Sequence, residues 1–146
     1  MDLKIKFDNG SMMVHLDAFL DCRSIGKVKK LLKLIQQSYT PDAVNELKEF
    51  VEQELGQFEP RMKEDRNYYI GYESKLKFDE QNLEKCRYNR DRYKRDTNGW
   101  KHYNELMTEF RQEIRETKLQ MKQKKSDYNT CVKNKAFYKK VLEIIS

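Results

Sequence analysis

The sequence predicts a mainly α protein with a small β element. In this α+β fold, an N-terminal β-hairpin and a short helix pack on the base of a long antiparallel two-helix coiled coil. Three observations carry that reading. Apolar or small residues recur at alternating spacings of three and four from Trp100 to Ile145, a second such series runs from Val44 to Tyr93, and alternating apolar residues near the start flank an Asn-Gly turn signal.

Taking the elements in order, Leu3, Ile5 and Phe7 alternate with Lys4 and Lys6, Asp8-Asn9-Gly10 supplies a turn, and Met12, Val14 and Leu16 alternate again. Asn-Gly tolerates the positive φ angles of a tight hairpin. A lone hairpin is marginal in water, so this one must lie on something. Residues 17–23 read as a connection with a helical turn. Ser24 then caps a short helix with Ile25, Val28, Leu31, Leu32 and Ile35 on one face and Lys27, Lys29, Lys30 and Lys33 on the other. Thr40-Pro41 opens the next helix as N-cap and first helical residue, with Asp42 and Glu46 suited to its positive end.

The first long seam comprises Val44, Leu47, Val51, Leu55, Phe58, Met62, Asp65, Tyr69, Tyr72, Leu76, Asp79, Leu83, Cys86, Arg90 and Tyr93. Pro60 predicts a kink or short break, because proline removes a helical hydrogen bond and crowds the preceding turn. The resulting layout is one domain over 1–146, with hairpin and short helix over 1–40, long helices over 41–95 and 100–146, and a turn over 96–99. Near the base, Phe50 widens the first stripe, and Val132, Phe137, Val141 and Ile144 widen the second. Wide stripes need a third layer, supplied by the hairpin and short helix. The narrower remainder is expected as a bare two-helix arm on the order of 50 Å long.

Charge supports antiparallel pairing. Residues 42–65 hold eight acids against three bases, whereas 124–146 hold six bases against two acids. Folding back at Asn98-Gly99 lays these stretches side by side, so that Tyr93 faces Trp100, Cys86 faces Met107, Tyr72 faces Met121 and Val51 faces Leu142. The same heptads could instead pair across a two-fold axis, and both a monomer and a homodimer fit the pattern.

Charged residues make up 37% of the chain and mean hydropathy is -1.02, which suits a narrow seam better than a thick core. No segment has the roughly 20 apolar residues of a membrane span, and Met1-Asp2-Leu3-Lys4 does not begin a signal peptide. A cytoplasmic location and no membrane partner are therefore expected. Cys22, Cys86 and Cys131 lack paired zinc-site spacing, and Cys86 and Cys131 occupy seam positions as small apolar residues.

Nothing in the pattern predicts catalysis. His15 and His102 have no carboxylate or cysteine at triad or ligand spacing, and Gly26-Lys27 lacks the rest of a phosphate-binding loop. The expectation is no enzyme, no metal and no cofactor. The informative stretch lies where the helices meet: Lys85, Arg87, Arg90, Arg92, Lys94, Arg95 and Lys101 face only Asp91 and Asp96 over 85–102, a net of +5. Tyr88, Tyr93, Trp100 and Tyr103 interleave with them. Arginine forks pair with phosphate or carboxylate, and aromatic faces stack on bases or fill hot spots. A purely structural tip is the competing reading, since cations offset a helix C-terminal dipole and Arg90 can stack on Tyr103. The arginines off the seam, Arg87, Arg92 and Arg95, carry the functional case.

Lys27, Lys29, Lys30 and Lys33 form a second basic patch, which on a helix is ordinarily just a solvated face. Asp65 and Asp79 are polar seam members of the kind that fix register, and the Tyr128 hydroxyl is placed to satisfy Asp65. The expected role is a non-enzymatic binding module that contacts a nucleoprotein complex or acidic protein through its basic, aromatic-rich tip. One special case is an inhibitor encoded by a phage or mobile element, acting for example on a CRISPR effector. The alternatives are a direct nucleic-acid binder and a coiled-coil assembly protein that self-associates.

Overall fold

The computed structural model describes residues 1–146. Its elements are β1 (Asp2–Phe7), β2 (Gly10–His15), α1 (Leu16–Asp21), α2 (Ile25–Gln36), α3 (Ala43–Asp91) and α4 (Asn98–Ile145). The predicted fold class is borne out: a two-stranded antiparallel hairpin precedes two long helices that pack against each other. The chain divides into two compact units. The first is Met1–Met62 with Asn129–Ser146, and the second is Lys63–Tyr128.

In the first unit, β1 and β2 pair from Asp2↔His15 to Phe7↔Gly10. Strand periodicity turns Leu3 and Ile5 inward, where both are fully buried, and leaves Lys4, Lys6 and Met13 outside. The turn corrects the sequence expectation in one respect. Asp8 and Asn9 keep negative φ, and Gly10 alone carries the unusual backbone at φ +148°, which a side chain at that position would strain.

The residues after the hairpin form a complete short helix, α1, which buries Leu16 and Leu20. Ser24 caps α2 as expected, its Oγ accepting from the Lys27 N–H at 3.3 Å. The apolar stripe of α2 buries Val28, Leu31 and Ile35, and the lysines of the opposite face are exposed. These layers close on Ala43, Leu47, Phe50, Val51 and Phe58 of α3 and on Phe137, Tyr138 and Val141 of α4 in one core. Burying each such large side chain is worth about 1.5–3 kcal/mol. Val132, expected to widen this stripe, is 42% exposed instead.

Thr40 does not cap α3. Its Oγ1 accepts from the Lys6 N–H at 3.4 Å and shares a 2.9 Å hydrogen bond with the Ser38 hydroxyl, so it ties the segment to β1, and the helix starts later, at Ala43. Nor does Pro60 break α3, which is helical throughout with the proline inside it. The lost donor at Pro60 leaves the Gly56 carbonyl without its usual partner, and Gly56 and Pro60 are both exposed, where water can serve it.

The second unit is built from α3, α4 and their connection. Seam positions Leu76, Asp79, Leu83 and Cys86 on α3, and Met107, Ile114, Thr117 and Met121 on α4, are buried or half-buried. Polar contacts confirm the antiparallel direction, for residue numbers fall on one helix as they rise on the other. Arg90 Nη1 donates to Asn104 Oδ1 at 3.0 Å, Lys75 Nζ to Glu113 Oε2 at 2.7 Å, and Arg66 Nη2 to the Tyr128 hydroxyl at 3.1 Å. The last contact corrects the expected Asp65–Tyr128 pair. Asp65 instead faces Lys124 at 3.8 Å, an opposite charge that serves a carboxylate better than a phenol does.

Candidate functional site

The basic stretch 85–102 lies within the second unit, around the α3–α4 connection. That connection spans 92–97, not 96–99, because α3 stops at Asp91 and α4 starts at Asn98. The Thr97 hydroxyl donates to the Lys94 carbonyl at 2.7 Å and accepts from the Trp100 N–H at 3.5 Å, joining the end of the loop to the first helical turn. Asp96 takes φ +65°, a left-handed conformation that reverses the chain. Gly99 therefore sits inside α4. Its lack of a side chain serves a close approach, since a Cβ there would lie 2.5 Å from the Tyr93 ring.

The aromatic residues of the connection are held by each other and by arginine. Tyr93 stacks on Tyr103 with centroids 6.0 Å apart, while remaining 49% exposed. Arg90 lies 5.6 Å over Trp100, not over Tyr103, and also donates through Nε to Asp91 Oδ1 at 3.3 Å. With its further bond to Asn104, Arg90 is a structural residue of the site: every part of its guanidinium that the contacts describe is turned to the protein.

The off-seam arginines behave differently. Arg95 lies 6.0 Å over Trp100, so the indole meets guanidiniums from both Arg90 and Arg95. Arg92 lies 6.0 Å over Tyr88, whose ring is 69% exposed. Each such cation–π contact is worth about 0.5–1 kcal/mol at an exposed site and orients the cation without neutralising it. Arg87 pairs with Glu84 at 3.4 Å, and both side chains are well exposed. Lys85, Lys94 and Lys101 are exposed and form no ion pair. The site thus offers oriented cations beside open aromatic faces, an arrangement that can accept carboxylates or phosphates together with a planar or apolar group.

A further groove in the same unit was not legible as a site. Asp65, Arg66, Tyr69, Lys124, Lys125 and Tyr128 line about 340 Å³ on one flank of the helix pair. These residues are distant in sequence and come together only through the pairing. The available signal was that Arg66 and Lys125 both follow a seam residue directly, on the same side. The other predicted patch, Lys27, Lys29, Lys30 and Lys33, is exposed on α2 in the first unit. All three cysteines are free, no cluster of three metal-ligating side chains occurs, and no helix is long and apolar enough to cross a membrane.

No protein-family model, curated protein or solved structure matches the chain.

Proposed function

We propose that this chain is a non-enzymatic binding module that contacts an acidic protein surface, alone or within a nucleoprotein complex, through the α3–α4 connection. One observation carries the proposal. After Arg90 is assigned to internal packing, Arg87, Arg92, Arg95, Lys85, Lys94 and Lys101 still present their charge at the surface, two of them held against aromatic rings. Arg87 shares its charge with the exposed Glu84, but packing alone gives no account of the other five cations, none of which has an ion-pair partner. Oriented arginines with adjacent rings are the composition of interface hot spots.

The test replaces Arg87, Arg92 and Arg95 together with Glu and compares capture of partners from source-cell lysate. Loss of the captured species with an unchanged helical circular dichroism spectrum supports the contact surface. Unchanged capture removes it.

A second reading, direct binding of single-stranded nucleic acid, is favoured by the exposed Tyr88 ring beside Arg92, since stacking platforms flanked by cations bind bases without sequence preference. Fluorescence anisotropy with a labelled oligonucleotide separates the two. A direct binder loses affinity steeply between 50 and 200 mM salt through counterion release, by about 300-fold if six phosphates of a single strand are neutralised. A protein-directed module retains no oligonucleotide at either concentration.

A further inference from the structure

The first unit carries a second surface, independent of the connection: the free edge of β2. Across the two-residue turn, Phe7 and Gly10 are partners, and the Leu16 N–H donates to the Met1 carbonyl at 3.0 Å. Hydrogen-bonded and non-hydrogen-bonded pairs alternate in an antiparallel ladder, so Ser11, Met13 and His15 must direct their N–H and C=O groups away from β1. The outward groups of Ser11 and Met13 and the His15 N–H have no partner within the chain, while the His15 carbonyl belongs to the first turn of α1. The corresponding edge of β1 is covered at Lys6, with the Tyr39 N–H donating to the Lys6 carbonyl at 2.9 Å and the Lys6 N–H donating to Thr40. β2 also lacks the usual protection of an exposed edge. It reads Gly-Ser-Met-Met-Val-His, without a charged residue or proline, whereas β1 carries Lys4 and Lys6.

Beside this edge runs a groove of about 420 Å³ between β2 and α2. Phe19, Leu31 and Leu34 contribute its apolar lining, Met13 stands at its lip at 61% exposure, and Lys27 and Lys30 form a cationic rim. Neither lysine has an ion-pair partner. Unpaired backbone groups, an apolar trough and a basic rim in one place are the elements of strand addition, where main-chain bonds give affinity and side-chain pockets give selectivity.

We propose that the β2 edge binds an extended acidic segment of a partner protein as a third strand. Apolar side chains at every second position enter the groove, and carboxylates lie at its mouth beside Lys27 and Lys30. Charge decides against a second copy of this chain as occupant, because pairing β2 with β2 across a two-fold axis would bring the Lys27 and Lys30 rims of both copies together.

The experiment uses the full chain and a fluorescein-labelled octapeptide of alternating valine and glutamate, read by anisotropy, with a valine–lysine octapeptide as control. Saturable binding of the acidic peptide is expected, weakened at least tenfold in Lys27→Glu/Lys30→Glu. Met13→Pro should weaken it similarly, since it deletes only an outward N–H and leaves the β1–β2 bonds intact. Hydrogen exchange should slow at the Ser11, Met13 and His15 amides on peptide addition. If Met13→Pro fails to fold, the lysine variant and the exchange measurement still decide. Absent binding, equal binding of the lysine peptide, or full affinity in Lys27→Glu/Lys30→Glu would overturn the proposal. So would a wild-type dimer that Met13→Pro converts to a monomer, because the edge would then belong to a second copy.

Discussion

Asp79 is the place where the helix pair of the second unit should be easiest to stabilise. It occupies a seam position, is only 5% exposed, and its Oδ2 has no hydrogen-bond partner. A buried polar atom left unpaired costs about 1–3 kcal/mol in lost solvation. Replacing the residue by Leu removes that cost and adds apolar area to a seam already lined by Leu76 and Leu83, a gain of about 1.5–3 kcal/mol when the side chain is fully buried. Two terms oppose it. Lys75 loses the attraction of the Asp79 charge, an exposed-pair contribution of about 0.2–1 kcal/mol, although its 2.7 Å bond to Glu113 remains. Fitting a larger side chain into a packed seam costs about 1–3 kcal/mol. The balance is a net stabilisation of about 1–3 kcal/mol for Asp79→Leu. Urea unfolding followed by the fluorescence of Trp100, the single tryptophan and a member of the same unit, reports it as a higher midpoint at unchanged slope. Thr117, fully buried with an unpaired Oγ1, provides a matched probe, and Thr117→Val should gain about 1 kcal/mol. If Asp79→Leu loses 1 kcal/mol or more, the carboxylate is holding the pair together and the reasoning fails.

Other expectations concern the first unit and the connection. The Tyr138 hydroxyl is pushed up to about 12, first by burial and then by the charges of Glu54, Asp21 and Asp17. A raised folded-state value stabilises the fold fully below the unfolded tyrosine's value near 10, and that contribution disappears as pH rises from there through 12. The loss should reach about 1.4 kcal/mol by pH 11, and Tyr138→Phe should show a correspondingly smaller alkaline decline in chemical-denaturation stability. Gly99→Ala places a methyl against the Tyr93 ring and should break the Tyr93–Tyr103 stack, costing about 0.5–1.5 kcal/mol and shifting the Tyr93 ring resonances in NMR spectra.

Much of the fold was legible because it rests on periodicity. The α4 seam positions Trp100, Tyr103, Met107, Phe110, Ile114, Thr117, Met121, Lys124, Tyr128, Cys131, Lys135, Tyr138, Leu142 and Ile145 are all buried or half-buried, and α2 shows the expected cap and stripe. What escaped the sequence depended on choices among local partners. Thr40 had the composition of a cap but bonds to β1, and the hydroxyl of Tyr128 takes Arg66 where Asp65 was expected. The connection was misplaced because Asn98-Gly99 looks like a turn, whereas Thr97 caps α4 and Gly99 makes room for Tyr93. Within the candidate site, the sequence placed the cations but could not separate Arg90, committed to Asn104 and Trp100, from the arginines that remain at the surface. The β2 edge was invisible as a surface because its informative atoms are backbone groups whose direction depends on register.

The central claim is that the cations around the α3–α4 connection face a partner. Its most direct test is quantitative capture from source-cell lysate by wild-type protein and by the Arg87→Glu/Arg92→Glu/Arg95→Glu variant, with circular dichroism recorded on both. Loss of a wild-type-specific species at unchanged helicity is the result expected. An identical set of captured species would contradict the claim and leave the basic stretch a structural feature of the helix ends.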